Sequence, residues 1–431
     1  MYFLYNLILL FVTPFLLIFH TYRSISRGRP PALWQRFGFV DSGALSLLKE
    51  RRPIWIHAVS VGETIAVKPL LVALKRKYPD TPLILSNMTE TGRGVARSIK
   101  EVDSCIYFPF DYPFAVNRLL KIINPILVII VETELWPNFL HQSRKLHIPT
   151  LVVNGRISDR SFRRYLMLKR FFVPVLENVT AFCMQSQEDA VRIGAIGAPA
   201  GRITVTRNLK FDIPVRFYNE DELELIRSRF RIDASLQIIT AGSTHQGEEG
   251  PILDAFSRIM AKDHSALLIL VPRHPERAGE VCELLEKRHI SYNKRSLLTA
   301  DSRPLLAGEV LLVDTIGELL SIYAISAVVF VGGSLVPTGG HNLLEPASLG
   351  RPVIFGNNMA NFREIAAMTL EYGAGIQVDS SAELTEVCSS LLGDGERRLA
   401  MGADGRRLLS EQGGATELNM AEIGKILKAQ E

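Results

Sequence analysis

The reading of residues 330–351, FVGGSLVPTGGHNLLEPASLGR, decides the fold. An apolar run from Ala327 to Val331 has the character of a buried strand, and it gives way to Gly332, Gly333, Gly339 and Gly340 before a helical pattern begins near Asn342. In a strand, glycine loop and helix start taken in that order, the backbone can come close to a ligand. Glycines let N–H groups approach, and a helix start offers unpaired donors and the positive end of a dipole, which suit a phosphate or a ribose. Glu345, one turn into the helix, is placed to accept from a ribose hydroxyl pair while Asn342 caps or binds. The same residues also read as a tight turn before a capped helix with an acidic first turn, and composition leaves the two readings level.

Outward from this stretch the pattern repeats. Short apolar runs at 54–58, 83–87, 105–108, 126–131, 150–153 and 180–184 are separated by helix-length segments, and a second series follows at 236–241, 266–271, 309–313, 327–331 and 353–355. Such runs imply α/β architecture with mostly parallel sheets covered on both faces, here two doubly wound, Rossmann-like halves. A chain of 431 residues suits two domains. The joint is expected between Leu209 and Tyr218, dividing the chain into a leading segment 1–22, a first domain 23–213 and a second domain 214–431.

In doubly wound sheets ligands sit beyond the strand C-termini, so the loops there should carry the chemistry. In WIHAVSVGET, Gly62 permits a sharp entry into a helix and Glu63 reaches the sheet mouth. There a carboxylate could deprotonate a hydroxyl, or simply stabilise a helix dipole, and from the residues alone the second reading is the better one. VIIVETELWPN ends a hydrophobic strand in Glu132 and Glu134, which need partners if buried. NGRISDRS runs into Arg163, Arg164, Lys169 and Arg170, a basic helix suited either to an anionic lipid or to plain solvation. GSTHQGEE offers Ser243 and Thr244 as phosphate donors. PRHPER offers Arg273 as a bidentate partner for a phosphate or carboxylate, or as a strand-end cap. Taken alone, Lys210 is a solvated lysine; a histidine placed like His341 is more often a loop-packing residue than a ligand, and its role is left open. No Asp-x-Asp pair occurs, so the expected chemistry is metal-independent and cofactor-free.

Seen together, WIHAVSVGET, VETELWPN, NGRISDRS, LKFD, GSTHQGEE, LILVPRHPER, DTIGELLSIY and GGSLVPTGGHNLLEPA resemble, in order, the motifs of bacterial 3-deoxy-D-manno-octulosonic acid (Kdo) transferases of the GT-B fold. The resemblance runs from about Trp55 to Ala347. It implies Glu63 as catalytic base, reversing the preference above, with Glu132 and Lys210 stabilising the transition state and Glu134 orienting Glu132. It assigns Pro272 and Arg273, Ile316, Gly317 and Glu318, and Asn342, Leu343, Leu344 and Glu345 to the cytidine monophosphate part of the donor. Relatives more often carry a small residue where Arg207 stands. The fold also implies that the last helical segment, Gly414 to Lys428, crosses back to the first domain.

Bulk properties are consistent with this. A 47% hydrophobic, 22% charged chain is globular. A net charge of +4 gives no reason to expect nucleic acid as a partner. Cys105, Cys183, Cys282 and Cys388 lie far apart, which fits reduced thiols in a cytoplasmic setting. MYFLYNLILLFVTPFLLIF, residues 1–19, is long enough to cross a bilayer, and Arg23, Arg27 and Arg29 behind it place the protein body on the cytoplasmic side. Pro14 leaves open an interfacial helix instead.

The combined expectation is an inverting enzyme that moves Kdo from CMP-Kdo to a lipid A precursor at the cytoplasmic face of the inner membrane. Two alternatives stand beside it: another nucleotide-sugar enzyme of this fold, such as a UDP-sugar transferase or epimerase, and a non-catalytic membrane-tethered nucleotide-binding protein.

Overall fold

The computed structural model describes residues 2–26, 32–40, 51–262 and 265–429. Arg27 and Arg29 lie outside them. The chain forms two compact units, residues 1–212 with 412–431, and residues 213–411.

The first unit is built on a parallel sheet of strands β1 (Ile54–His57), β2 (Leu83–Asn87), β3 (Ser104–Tyr107), β4 (Leu127–Val131), β5 (Thr150–Gly155), β6 (Ala181–Met184) and β7 (Ile203–Val205), in the order β3-β2-β1-β4-β5-β6-β7. Ile54 is in register with Leu83 on one side and Leu127 on the other. Alternate residues feed two separate cores. Trp55, Ile84, Val128 and Ile130 point into one, and Ile54, Ile56, Leu85 and Ile129 into the other. Both faces are covered, so the strands read as unbroken apolar runs rather than alternating ones.

The second unit repeats the plan with β8 (Gln237–Thr244), β9 (Ala266–Pro272), β10 (Tyr292–Lys294), β11 (Val310–Leu312), β12 (Val328–Val331), β13 (Val353–Phe355) and β14 (Gly375–Gln377), ordered β10-β11-β9-β8-β12-β13-β14 and parallel throughout. Chain order reverses between β1 and β4 in one sheet and between β8 and β12 in the other. These switch points are where an open α/β sheet leaves a crevice. The strands β7, β10 and β14 were not anticipated. Each has three residues and lies at a sheet edge, with half-exposed or polar positions such as Thr204, Asn293 and Gln377 that carry no apolar run.

The helix Ala415–Lys428 belongs to the first unit, where Ala415, Met420 and Ile423 join the core beside Leu70, Leu71 and Leu74. Asp212 holds its start by accepting from the N–H groups of Gly414 at 2.8 Å and Ala415 at 3.2 Å, and also from Thr416.

The leading helix runs Tyr2–Ser26, 25 residues with Pro14 inside it, so the proline does not split it. Polar bonds dock it on the first unit. Tyr5 donates to Asp111 Oδ2 at 2.9 Å, Asn138 Nδ2 donates to Asn6 Oδ1 at 2.6 Å, Asn178 Nδ2 donates to the Tyr2 hydroxyl at 3.1 Å, and the Thr13 and Tyr112 hydroxyls share a bond of 2.5 Å. Phe3, Leu4, Leu7, Leu10, Phe11, Phe15 and Ile18 remain exposed. Among the described residues no helix is long and apolar enough to cross a membrane, so the spanning form of the expected anchor finds no counterpart here.

Candidate active site

Across the switch point of the first sheet, β1 and β4 deliver Glu63 and Glu132 from their C-terminal ends. Ser60 caps the helix Val61–Ala66, accepting from Glu63 N at 3.4 Å and donating its hydroxyl to Glu63 Oε1 at 2.9 Å. The Val59 N–H donates to Glu63 Oε2 at 2.6 Å. The first-turn reading is therefore geometrically real, a variant of the capping box, but it does not exhaust the residue. The expected role of Gly62 is not seen, because a Cβ there would meet only Ser60 Oγ, at 3.8 Å.

Glu132 adopts φ of +61°, rare for a side chain with a Cβ, with its N–H held by the Val153 carbonyl at 2.9 Å. Its carboxylate lies 4.0 Å from Lys210 Nζ. Two asparagines bring the lysine there. Buried Asn154, itself at φ +55°, accepts from Leu209 N at 2.9 Å, and Asn208 accepts from Lys210 N at 3.0 Å. Thr133 pins the acidic loop by donating to the Arg156 carbonyl at 2.6 Å. Nothing in the sequence reading pointed to these supports. Arg207 sits nearby in sequence at φ +64°, but its guanidinium donates to the Gly413 carbonyl at 2.6 Å.

Burial pushes the Glu63 carboxyl up to about 7; the Val59 N–H opposes this, Glu132 adds to it, and Ser60 and Lys210 lower it. Burial, then the charges of Glu63 and Glu132, likewise push Glu134 up to about 7. Three acids and one lysine thus share a partly dry crevice in which one carboxyl group readily gains or loses a proton near neutrality. The Glu132–Lys210 pair, with side chains 32% and 25% exposed, contributes at most about 1 kcal/mol to stability.

In the second unit the opening stretch behaves differently from the expectation. The N–H groups of the loop's first residues are already used. Glu248, wholly buried, accepts from Gly333 at 2.7 Å, Ser334 at 3.0 Å, Leu335 at 2.9 Å and His245 at 2.8 Å. A carboxylate from GSTHQGEE therefore fills the place imagined for a phosphate. Thr244 is buried and its hydroxyl donates to Glu249 at 3.1 Å, while Arg277 grips Glu249 at 2.8 Å, so Thr244 is not a free donor. The helix after the loop, Leu344–Ser348, has only five residues. Asn342 Oδ1 accepts from Leu344 N at 3.1 Å and its Nδ2 reaches Glu345 Oε1 at 3.5 Å. Leu343 and Leu344 are fully buried core residues, which leaves Asn342 and Glu345 as the reachable members of that stretch.

Glu318 is also committed. Arg295 grips it at 3.0 Å, Arg229 at 2.7 Å, and the Thr315 hydroxyl bonds it at 2.5 Å. Of its neighbours, Ile316 is exposed and Gly317 adopts φ +91° with open space beside it. Arg273 follows Pro272 at the end of β9, exposed, and makes no ion pair among the described residues. Glu248, Glu249 and Glu318 are therefore turned onto donors, while Arg273 is exposed.

Two doubly wound parallel sheets in one chain are the GT-B arrangement, a class of enzymes that handle nucleotide-linked sugars. UDP-GlcNAc 2-epimerase from Neisseria meningitidis bound to UDP-GlcNAc shares the fold over 86% of this chain and 100% of its own, with TM-score 0.57 at 13% identity. Sequence is more specific. Residues 32–213 match the family described as 3-Deoxy-D-manno-octulosonic-acid transferase (kdotransferase). The 3-deoxy-D-manno-octulosonic acid transferase of Haemophilus influenzae is 35% identical over 96% of both chains, and that of Bordetella pertussis 31% over 89% of this chain and 90% of its own. The chain belongs to the Kdo transferase family.

Proposed function

We propose that this chain transfers Kdo from CMP-Kdo to a sugar hydroxyl of a lipid A precursor, with inversion. The observation that carries the reading is the grouping of Glu63, Glu132, Glu134 and Lys210 at the first unit's switch point in a chain of this family. Glu63 takes the proton of the acceptor hydroxyl. The oxygen attacks the anomeric carbon as its bond to the CMP phosphate breaks, and the departing phosphate keeps the electron pair. Lys210, held by Glu132, offsets the charge that develops on that phosphate. Arg273, Asn342, Glu345 and the backbone of Ile316 to Glu318 hold the cytidylate. A base near 7 suits this task, being free of its proton often enough at neutral pH while still basic enough to take one.

The acceptor is an anionic lipid, and the first unit offers a basic face for it. The helices Asp159–Met167 and Lys169–Leu176 carry exposed Arg160, Arg163, Arg164, Lys169 and Arg170, with Met167 and Leu168 exposed between them. The leading helix supports seating on the inner membrane's cytoplasmic leaflet. Docked by its polar bonds and apolar outside, it fits lying in the interface rather than crossing. Incubating the purified protein with CMP-Kdo and a tetraacylated lipid A precursor tests the whole reading. A product heavier by whole Kdo units is expected, its mass counts the sugars added, and an unchanged acceptor overturns it.

A further inference from the structure

Each of the three central strands of the second sheet leads into a histidine: His245 after β8, His274 after β9 and His341 in the loop after β12. His245 and His341 stand on either side of the switch point. Their Nε2 atoms face each other at 2.8 Å and their rings stack with centroids 5.1 Å apart. The His274 ring stands edge-on to His245 at 5.9 Å. Gly333, at φ +67°, makes room for the pair, since a Cβ there would come within 2.9 Å of the His341 ring.

Two imidazoles in this contact share one N–H, so one nitrogen donates and the other accepts. The pair accommodates one added proton without losing the bond, because imidazolium then donates to imidazole. His245 faces Glu248, His274, Arg273 and Arg277, and His341 faces His245, Arg273 and His274. Glu248 is occupied by four N–H groups. Burial first, and then the neighbouring guanidinium and imidazole groups, hold both rings below the usual imidazole range.

We propose that the His245–His341 pair is a proton-coupled subsite for the donor's phosphodiester, which gains one proton from solvent as that anion enters. The proposal rests on the donor assignment above and adds two residues to it. An anion beside an imidazole favours the charged form by roughly 1–3 pH units, enough to bring the second proton into the neutral range. The new N–H then forms a charge-assisted bond with a phosphate oxygen, alongside Arg273.

The test uses the full chain and the methyl ester of CMP, a diester whose phosphate does not titrate near neutrality. Calorimetry at pH 6.5 in buffers of different ionisation heat counts protons taken up on binding. The expected result is net uptake by the unaltered protein, absent in His341→Gln and His245→Asn. Both variants should bind about tenfold more weakly at pH 6.5, with the gap closing by pH 9. Zero uptake by the unaltered protein overturns the proposal without needing any variant, as does undiminished uptake in correctly folded His341→Gln. No binding of the ester at any pH is a different result, and refutes the donor assignment itself.

Discussion

The same topological place is used in opposite ways by the two halves. At the first switch point the acids Glu63, Glu132 and Glu134 crowd together around one distant lysine contact, two of them held near neutrality by burial. At the second, Glu248, Glu249 and Glu318 are each consumed by N–H groups or arginines, and Arg273 and His274 are exposed beside them. An acid with too few partners gives up stability for reactivity, and a saturated acid does the reverse. One sheet plan thus carries carboxyl groups raised toward neutrality at one switch point and saturated carboxylates at the other.

The sharpest way to break this contrast is to empty one saturated acid. Glu248→Ala strands two buried and two half-buried N–H groups, each buried one costing about 1–3 kcal/mol. A loss of several kcal/mol in urea unfolding is expected, and a loss under about 1 kcal/mol would show that Glu248 is no clamp. Glu63→Gln should do the opposite. Transfer falls by about 10²–10⁴, CMP affinity stays within about twofold, and the fold does not weaken. The sign follows from the raised carboxyl: its contribution to stability is present below its unfolded value near 4.5 and is lost as pH rises through about 7, so above pH 7 the glutamine variant should equal or exceed the parent in thermal unfolding. For the parent, kcat/KM should climb with pH and level above about 7.

Lys210→Met should cost about 10²-fold in kcat and move that acidic limb upward, because Lys210 lowers the Glu63 carboxyl. A limb that stays put would separate the lysine from the base. The smallest effect is expected from Arg207→Gly. Losing the bond to Gly413 costs about 1 kcal/mol and relieving φ +64° returns a similar amount, so stability and transfer should both be close to unchanged.

What the sequence made legible follows from range. Runs such as Leu83–Asn87 and Val353–Phe355 coincide with observed strands because burial on both faces writes itself into consecutive residues. Strand ends expected at Val131 and Ala58 told where loops would gather, and the family motifs named Glu63, Glu132 and Lys210, which do meet. The supports could not be read. Glu248 reaches loop residues 85 to 87 positions away, and His341 reaches His245 across 96, so their local contexts look like an ordinary helix start and an ordinary glycine turn. Only the folded chain shows that the N–H groups of Gly333, Ser334 and Leu335 already have an acceptor. Glu132 carries left-handed backbone without glycine, a strain no composition reveals.

The pin at Asp212 has a consequence for how the protein is made. The ribosome releases residues 213–411 as one uninterrupted stretch, yet the earlier unit still lacks Ala415, Met420 and Ile423 and the N–H groups that Asp212 must receive. The half bearing Glu63 is therefore translated first and completed last. A chain stalled before Gly414 should carry a complete second unit attached to a first unit whose core at Leu70, Leu71 and Leu74 still lacks its covering helix.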